Sequence, residues 1–372
     1  MSGIYHTTLN SALAKSLNRA FDGYQLVVCG ERKHIDICRK KINTPGVLFQ
    51  QFYFPKVSFA NLFFRDFLAC LLSIRYMIKA ERKDVLIFSY ALPITHYTVV
   101  LFNWFLRRNI KIMLHCEMES FVAGSSLGYS RYLYKVQKPL FHLRNNIQYI
   151  LLGESIYVNI HSLFPDREKV VVIDHPYDYK EERPGPGHRN GADPYNFGII
   201  GRGNKSKNGE LIFDLARDTK RLVEKGDISF QIIGETDESI LACASDLVSY
   251  YRSPLDEPEF TRMIGALDYA LFFWGARSYK ATASGSLLDA VNFLKPLISL
   301  NNDYIKYYFE RFGNIGFLCN SIEEMGEKIA SIVRDPRAFD AIYDEQVGNL
   351  RKMKADMSLA SIGVELKNQL IL

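Results

Sequence analysis

Short apolar runs rich in Val, Ile and Leu alternate along the chain with longer stretches whose apolar residues recur at helical spacing. Strands are predicted at Gln25–Cys29, Val47–Phe52, Asp84–Ser89, Lys111–His115, Gln148–Leu152 and Lys169–Ile173. Helices are expected over Ala12–Phe21 and Phe59–Ala80, and near His96–Arg107. The rhythm then restarts, with strands at Asn196–Ile200, Ile228–Ile233, Tyr269–Phe273 and Leu297–Leu300. Helices follow over Gly209–Lys220, Pro258–Ala266 and Ser286–Phe293. Strands rich in Val, Ile and Leu that alternate with helices indicate a parallel sheet covered on both faces.

Between the two series lies Lys180–Pro194 (KEERPGPGHRNGADP), dense in Pro, Gly and charge and too poor in apolar residues to fold by itself. The chain therefore divides into a Rossmann-like domain over residues 1–180, a linker over 181–194 and a second such domain over 195–350. Its 372 residues fit two domains. The expected class is α/β, with two doubly wound domains facing a central cleft and a ligand at the carboxyl ends of the strands. Residues 351–372 read as a helix without a strand partner, packing back toward the first domain.

Hydrophobic residues make up 48% and charged residues 23%, which excludes disordered and fibrous classes. The six cysteines (Cys29, Cys38, Cys70, Cys116, Cys243, Cys319) show no metal-ligand spacing, so neither a disulfide framework nor a structural metal is expected, and a reducing cytoplasm fits. The opening residues MSGIYHTTLN lack a signal-peptide pattern. Phe59–Ile74 and Leu92–Leu106 both fall short of the roughly 18 uninterrupted apolar residues of a spanning helix. Charge is uneven: the first 180 residues hold 23 Lys and Arg against 13 Asp and Glu, a net +10 within an overall +5. A basic half suits an anionic surface such as a membrane leaflet or a phosphate-bearing acceptor, and no nucleic-acid partner is expected.

Two segments of the second half could carry chemistry. In FGIIGRGNKSKNG (Phe197–Gly209) a strand runs into Gly201, Arg202 and Gly203, and Lys205 and Lys207 precede a helix. Such a turn permits close backbone approach, and its cations could neutralise a diphosphate. It is neither a P-loop nor a complete dinucleotide fingerprint, and taken alone it equally suits a solvated turn. In Ser284–Asp289 (SGSLLD), Ser286 is placed to cap a helix, with Asp289 three positions on as the capping-box carboxylate. A helix start can bind phosphate, and a carboxylate one turn in can hold ribose hydroxyls. Taken alone the segment better suits a plain capping box without a ligand; with Arg202 and Lys207 it supplies both halves of a nucleotide-diphosphate site. In the first half, His115 ends a strand, with Glu117 and Glu119 behind it. A strand-end His is commonly structural, and Cys116 reads as packing. Phe59–Lys83 suits a core helix with a charged exit turn; the alternative is a helix at a membrane interface, with Arg75, Lys79, Arg82 and Lys83 toward anionic headgroups.

Taken together, these segments resemble the retaining, nucleotide-sugar-dependent glycosyltransferases of the two-Rossmann-domain GT-B type, family-4-like. Gly201-Arg202 followed by Lys207-Asn208-Gly209 is similar to that family's Gly-Arg and Lys-Gly pair, and Asp289-Ala290 before Lys295-Pro296 is similar to its Glu-Ala helix. The resemblance implies that Arg202 and Lys207 contact the donor diphosphate and that Asp289 holds the ribose. It also implies that Gly201, Ser284, Gly285, Ser286 and Leu287 line the donor, and that His115, with Glu117 near it, serves the reacting sugar. The family's earlier Glu falls on Ala281, and its Gly before Lys-Pro on Leu294. The first domain would then take the acceptor and the second the donor. The implied activity is transfer of a hexosyl group, UDP-sugar favoured over GDP-sugar, to a glycan or lipid-linked acceptor during polysaccharide assembly, without a metal or other cofactor. The enzyme would be cytoplasmic or peripheral on the inner face of the cytoplasmic membrane. An epimerase of the same fold and a non-catalytic glycan-assembly scaffold are the alternatives.

Overall fold

The computed structural model describes residues 6–53, 62–91, 93–114, 118–119, 122, 137–143, 145–180, 193–276 and 278–371. The chain forms two compact units. One comprises Met1–Asp178, Lys280–Ala283 and Met357–Leu372, and the other Tyr179–Tyr279 and Ser284–Asp356. Residues 181–192 of the expected linker lie outside the described residues.

The first unit opens with α1 (Thr7–Ala20), β1 (Val27–Glu31), α2 (Arg32–Ile42) and β2 (Leu48–Phe52). β1 and β2 pair in parallel with each other. Next come α3 (Leu62–Lys79), β3 (Val85–Phe88), α4 (Pro93–Leu106), β4 (Asn109–Met113), β5 (Ile147–Leu151), α5 (Glu154–Ile160) and β6 (Val170–Val172). Strands β3 to β6 form a parallel sheet in sequence order. Every residue of β5 is buried, as a central strand covered on both faces requires.

The second unit contains β7 (Tyr195–Ile200), α6 (Leu211–Asp218), α7 (Lys220–Lys225), β8 (Ile228–Glu235), α8 (Glu238–Leu241), β9 (Val248–Tyr251), α9 (Glu257–Gly265) and β10 (Tyr269–Phe272). It continues with α10 (Gly285–Asn292), β11 (Leu297–Leu300), α11 (Asp303–Phe312), β12 (Gly316–Cys319), α12 (Ile322–Arg334) and α13 (Pro336–Asp356). Its six strands lie in the order β12-β11-β10-β7-β8-β9, all parallel. That is the doubly wound order, with its switch point between β7 and β10. In its core Phe197 stacks on Tyr269 and lies tilted against Phe230 across neighbouring strands.

The tail differs from the single helix expected over 351–372. α13 ends at Asp356, and Ser358 accepts the Ser361 amide as the N-cap of α14 (Leu359–Gln369). α14 packs on α1 of the first unit, where a Cβ at Gly363 would meet the Ser16 carbonyl at 3.3 Å. Residues 351–356 thus belong to the second unit and Met357–Leu372 to the first. Among the described residues, no helix is long and apolar enough to cross a membrane. The five described cysteines are free.

Candidate functional site

At the carboxyl end of β7 the chain turns through Gly201, whose φ of 85° lies in the left-handed region. The loop then follows β8: the Gly201 amide donates to the Ile233 carbonyl at 2.8 Å, and the Gly203 amide to the Glu235 carbonyl at 3.0 Å. The approach is close enough that a Cβ at Gly234 would meet the Gly201 carbonyl at 2.5 Å. Asn204 caps the short 3₁₀ turn Lys205–Lys207 through its side chain. Asn208, in the left-handed conformation, donates its side-chain amide to the Phe273 carbonyl at 2.9 Å and ties this loop to the end of β10.

The turn delivers Lys207 to the start of α10, where its Nζ donates to Ser286 Oγ at 3.2 Å. Burial pushes the Lys207 ammonium below the ordinary lysine value, and Asp289 opposes that shift. A Cβ on Gly201 would lie 3.0 Å from Ser286 Oγ and 3.5 Å from Lys207 Nζ, so the absence of a side chain there holds the three groups together. Around them is a small recess lined by Ile199, Ile200 and Leu271 to Trp274, together with Lys207 and Ser286. It sits between β7 and β10, at the switch point where doubly wound sheets bind ligands.

The helix start differs from the predicted one. Ser284, not Ser286, is the N-cap: its extended backbone (φ −107°, ψ 117°) places its Oγ to accept the Leu287 amide at 3.3 Å. Ser286 is freed from capping and turns to Lys207, while Asp289 falls at the fifth helical position rather than in a capping box. Ser284 is itself held by donation of its amide to the Tyr304 hydroxyl at 3.0 Å. The first amides of α10 have no acceptor within the helix, and their dipoles add positive potential beside a cation.

Of the predicted residues, the fold brings together Gly201, Lys207, Ser284, Gly285, Ser286 and Asp289. The Leu287 side chain is fully buried, and its amide serves the cap. Arg202 is directed elsewhere: its guanidinium pairs with Asp237 at 3.2 Å and Glu235 at 3.9 Å on the exposed side of the loop. His115, Cys116 and Glu117 lie outside the described residues. Glu119 accepts the Ala281 amide at 3.0 Å within the first unit, and burial raises its carboxyl above the usual range.

Several supporting residues were not singled out in the sequence. Trp274 is buried and stacks on Tyr279, with ring centroids 3.9 Å apart. Asn302 donates to the carbonyls of Gly275 and Ser278 and caps α11. Asn204 carried a legible signal, since Asn favours helix caps, and Asn208, already part of the Lys207-Asn208-Gly209 motif, takes the left-handed turn that Asn favours. Among the described residues, no three His, Cys, Asp or Glu side chains gather where they could hold a metal ion.

No protein-family model matches the sequence, and no curated protein matches it. Among solved structures the chain is similar to HepE from Anabaena in complex with UDP, at 13% identity and a TM-score of 0.69, covering 100% of this chain and 97% of that one. It is also similar to WaaG, a glycosyltransferase involved in lipopolysaccharide biosynthesis, at 11% identity and a TM-score of 0.62, covering 97% and 95%. A candidate UDP-N-acetylglucosamine 2-epimerase from Listeria monocytogenes matches at 9% identity and a TM-score of 0.60, covering 96% and 94%. At such identities the likeness is one of fold: the chain has the α/β architecture of GT-B proteins, with parallel sheets in both units.

Proposed function

We propose that this chain is a glycosyltransferase that moves a hexosyl group from a nucleoside-diphosphate sugar, with UDP as the favoured nucleotide, to a hydroxyl of a glycan or lipid-linked acceptor. The observation that carries the reading is the meeting of Lys207 Nζ, Ser286 Oγ and the start of α10 at the switch point of the second sheet. When a glycosidic bond to a diphosphate breaks, negative charge builds on the leaving phosphate. A half-buried ammonium and the dipole of a helix start, placed beforehand, stabilise that charge without reorganising. Asp289, near enough to Lys207 to raise its pKa, would hold ribose hydroxyls behind the diphosphate. Arg202 would exchange its surface carboxylates for the diphosphate on binding, since exposed ion pairs of this kind are weak. His115 and Glu117 are assigned to the reacting sugar by resemblance alone, as is retention of configuration. UDP-bound HepE and the lipopolysaccharide enzyme WaaG support the choice of nucleotide and of polysaccharide or lipid-linked acceptor. We place the enzyme in the cytoplasm, on the inner face of the membrane, with no metal in the transfer step.

Calorimetry with UDP, followed by product analysis with a UDP-sugar, tests the assignment. UDP should bind, and free UDP should accumulate only when acceptor is present. Isomerised sugar nucleotide without acceptor would replace transferase by epimerase. Undetectable UDP binding would point to a non-catalytic scaffold.

A further inference from the structure

α3 and α4 pack against each other in the first unit, yet both leave large apolar side chains in water. On α3, Phe67, Leu71 and Ile78 recur at spacings of four and seven, one stripe of a helix, and are 50%, 48% and 60% exposed. On α4, Leu101, Trp104 and Phe105 are 49%, 68% and 75% exposed. α4 is the more telling of the two. It contains no Asp, Glu, Lys or Arg, and its buried positions include Thr95, His96 and Asn103. His96 bonds the Tyr149 hydroxyl at 3.0 Å, and Asn103 both accepts from the Arg108 amide and donates to the Arg108 carbonyl. The polar groups thus point inward and are satisfied, while the bulkiest apolar groups point outward. That inverts the pattern of a surface helix facing water.

Cations flank this face. Arg75 lies within the α3 stripe, Lys79 and Arg82 follow at its end, and Arg107 follows α4; all four are exposed. Asp66 is the one acidic residue on α3. An aromatic and aliphatic surface with basic residues at its edge is complementary to a lipid interface whose headgroups are anionic, with Trp at headgroup depth. We infer that the α3–α4 face docks on an anionic lipid surface. This inference deepens the membrane placement in the proposed function by naming the surface that makes it, and its failure is distinguishable from failure of the transfer reaction, because it is read from vesicle binding without turnover.

The two tryptophans report on it separately. Trp104 lies on the face, whereas Trp274 is buried in the second unit. Full-length protein is mixed with phosphatidylglycerol-containing vesicles and with vesicles of phosphatidylcholine alone. It should co-sediment with the former, less so at high salt, with a blue shift of emission that Trp104→Phe abolishes. The double variant Leu101→Glu/Phe105→Glu, at exposed positions, should bind about tenfold more weakly or worse, since charge replaces inserted apolar area. Arg75→Glu/Lys79→Glu, which leaves the apolar groups in place, should lose the preference for anionic lipid; it keeps the test decisive if the first variant fails to fold. Absence of co-sedimentation overturns the inference. So does binding that neither double variant weakens, or a wild-type dimer that Leu101→Glu/Phe105→Glu dissolves and vesicles do not.

Discussion

At Gly201 a single methyl group would change the site twice over. Its φ of 85° costs an L-residue about 1–2 kcal/mol, and the added Cβ would press on Ser286 Oγ at 3.0 Å. Gly201→Ala should therefore lower the melting temperature and weaken UDP binding together; a variant with wild-type UDP affinity would show that the Lys207–Ser286 pair is not where the diphosphate sits. Lys207 makes the opposite kind of prediction. Its charge is held in a half-buried place that disfavours it, so Lys207→Gln should leave stability unchanged or improved. By the size of comparable losses of charge stabilisation, kcat/KM should fall by about 10²–10³. The pH profile adds a sign. Because burial lowers the Lys207 pKa, activity should fade on the alkaline side before an ordinary lysine would titrate. Asp289 raises that pKa, so Asp289→Asn should move the alkaline limb to lower pH, and an unmoved limb would remove Lys207 from the titration.

At the scale of the element, α10 shows how local sequence left two answers open. The segment Ser284-Gly285-Ser286 offers two serines, either of which can cap a helix, and only the backbone decides. Ser284 takes the extended conformation with its amide on Tyr304, and Ser286 becomes helical. Ser284→Ala should cost about 1 kcal/mol in urea unfolding, the usual value of a lost cap. Ser286→Ala should cost little stability and act on UDP affinity instead; the reverse pattern would restore the capping role to Ser286. The central strands were legible where continuous apolar runs such as Tyr269–Phe273 have few other uses in a chain of alternating pattern. β9 and β12 were not, since each is a four-residue edge strand. The buried side chains of β9 reduce to Val248, and those of β12 are interrupted by half-buried Phe317 and Leu318. Lys280–Ala283 could not be read as part of the first unit at all, because its tie to Glu119 spans 162 residues.

At the scale of the whole molecule, the return of the C-terminus is fixed by a charge that no pattern of hydrophobicity would place. Lys111 points into the interior beside the middle of the first sheet, where its Nζ donates to Gln148 Oε1 and to the Ile371 carbonyl, both at 2.6 Å. Gln148 in turn donates to the Gln369 carbonyl at 3.2 Å, and its Oε1 accepts the Ile371 amide at 3.0 Å. The tail is thus held by polar groups that would be left unpaired without it, while apolar Ile362, Leu366 and Leu370 join the first core. Burial pushes the Lys111 ammonium down to about 8 from 10.5. Between those values the unfolded chain holds the proton and the folded chain does not. Stability from this group therefore rises with pH through that window and is least below pH 8. In Lys111→Met the proton is gone from both states, so the difference in unfolding free energy between wild type and variant should move in favour of wild type as pH increases from 8 to 10.5. Parallel stability curves for the two proteins across that range would mean that Lys111 keeps an ordinary pKa, and that the tail is held by the apolar contacts of α14 alone.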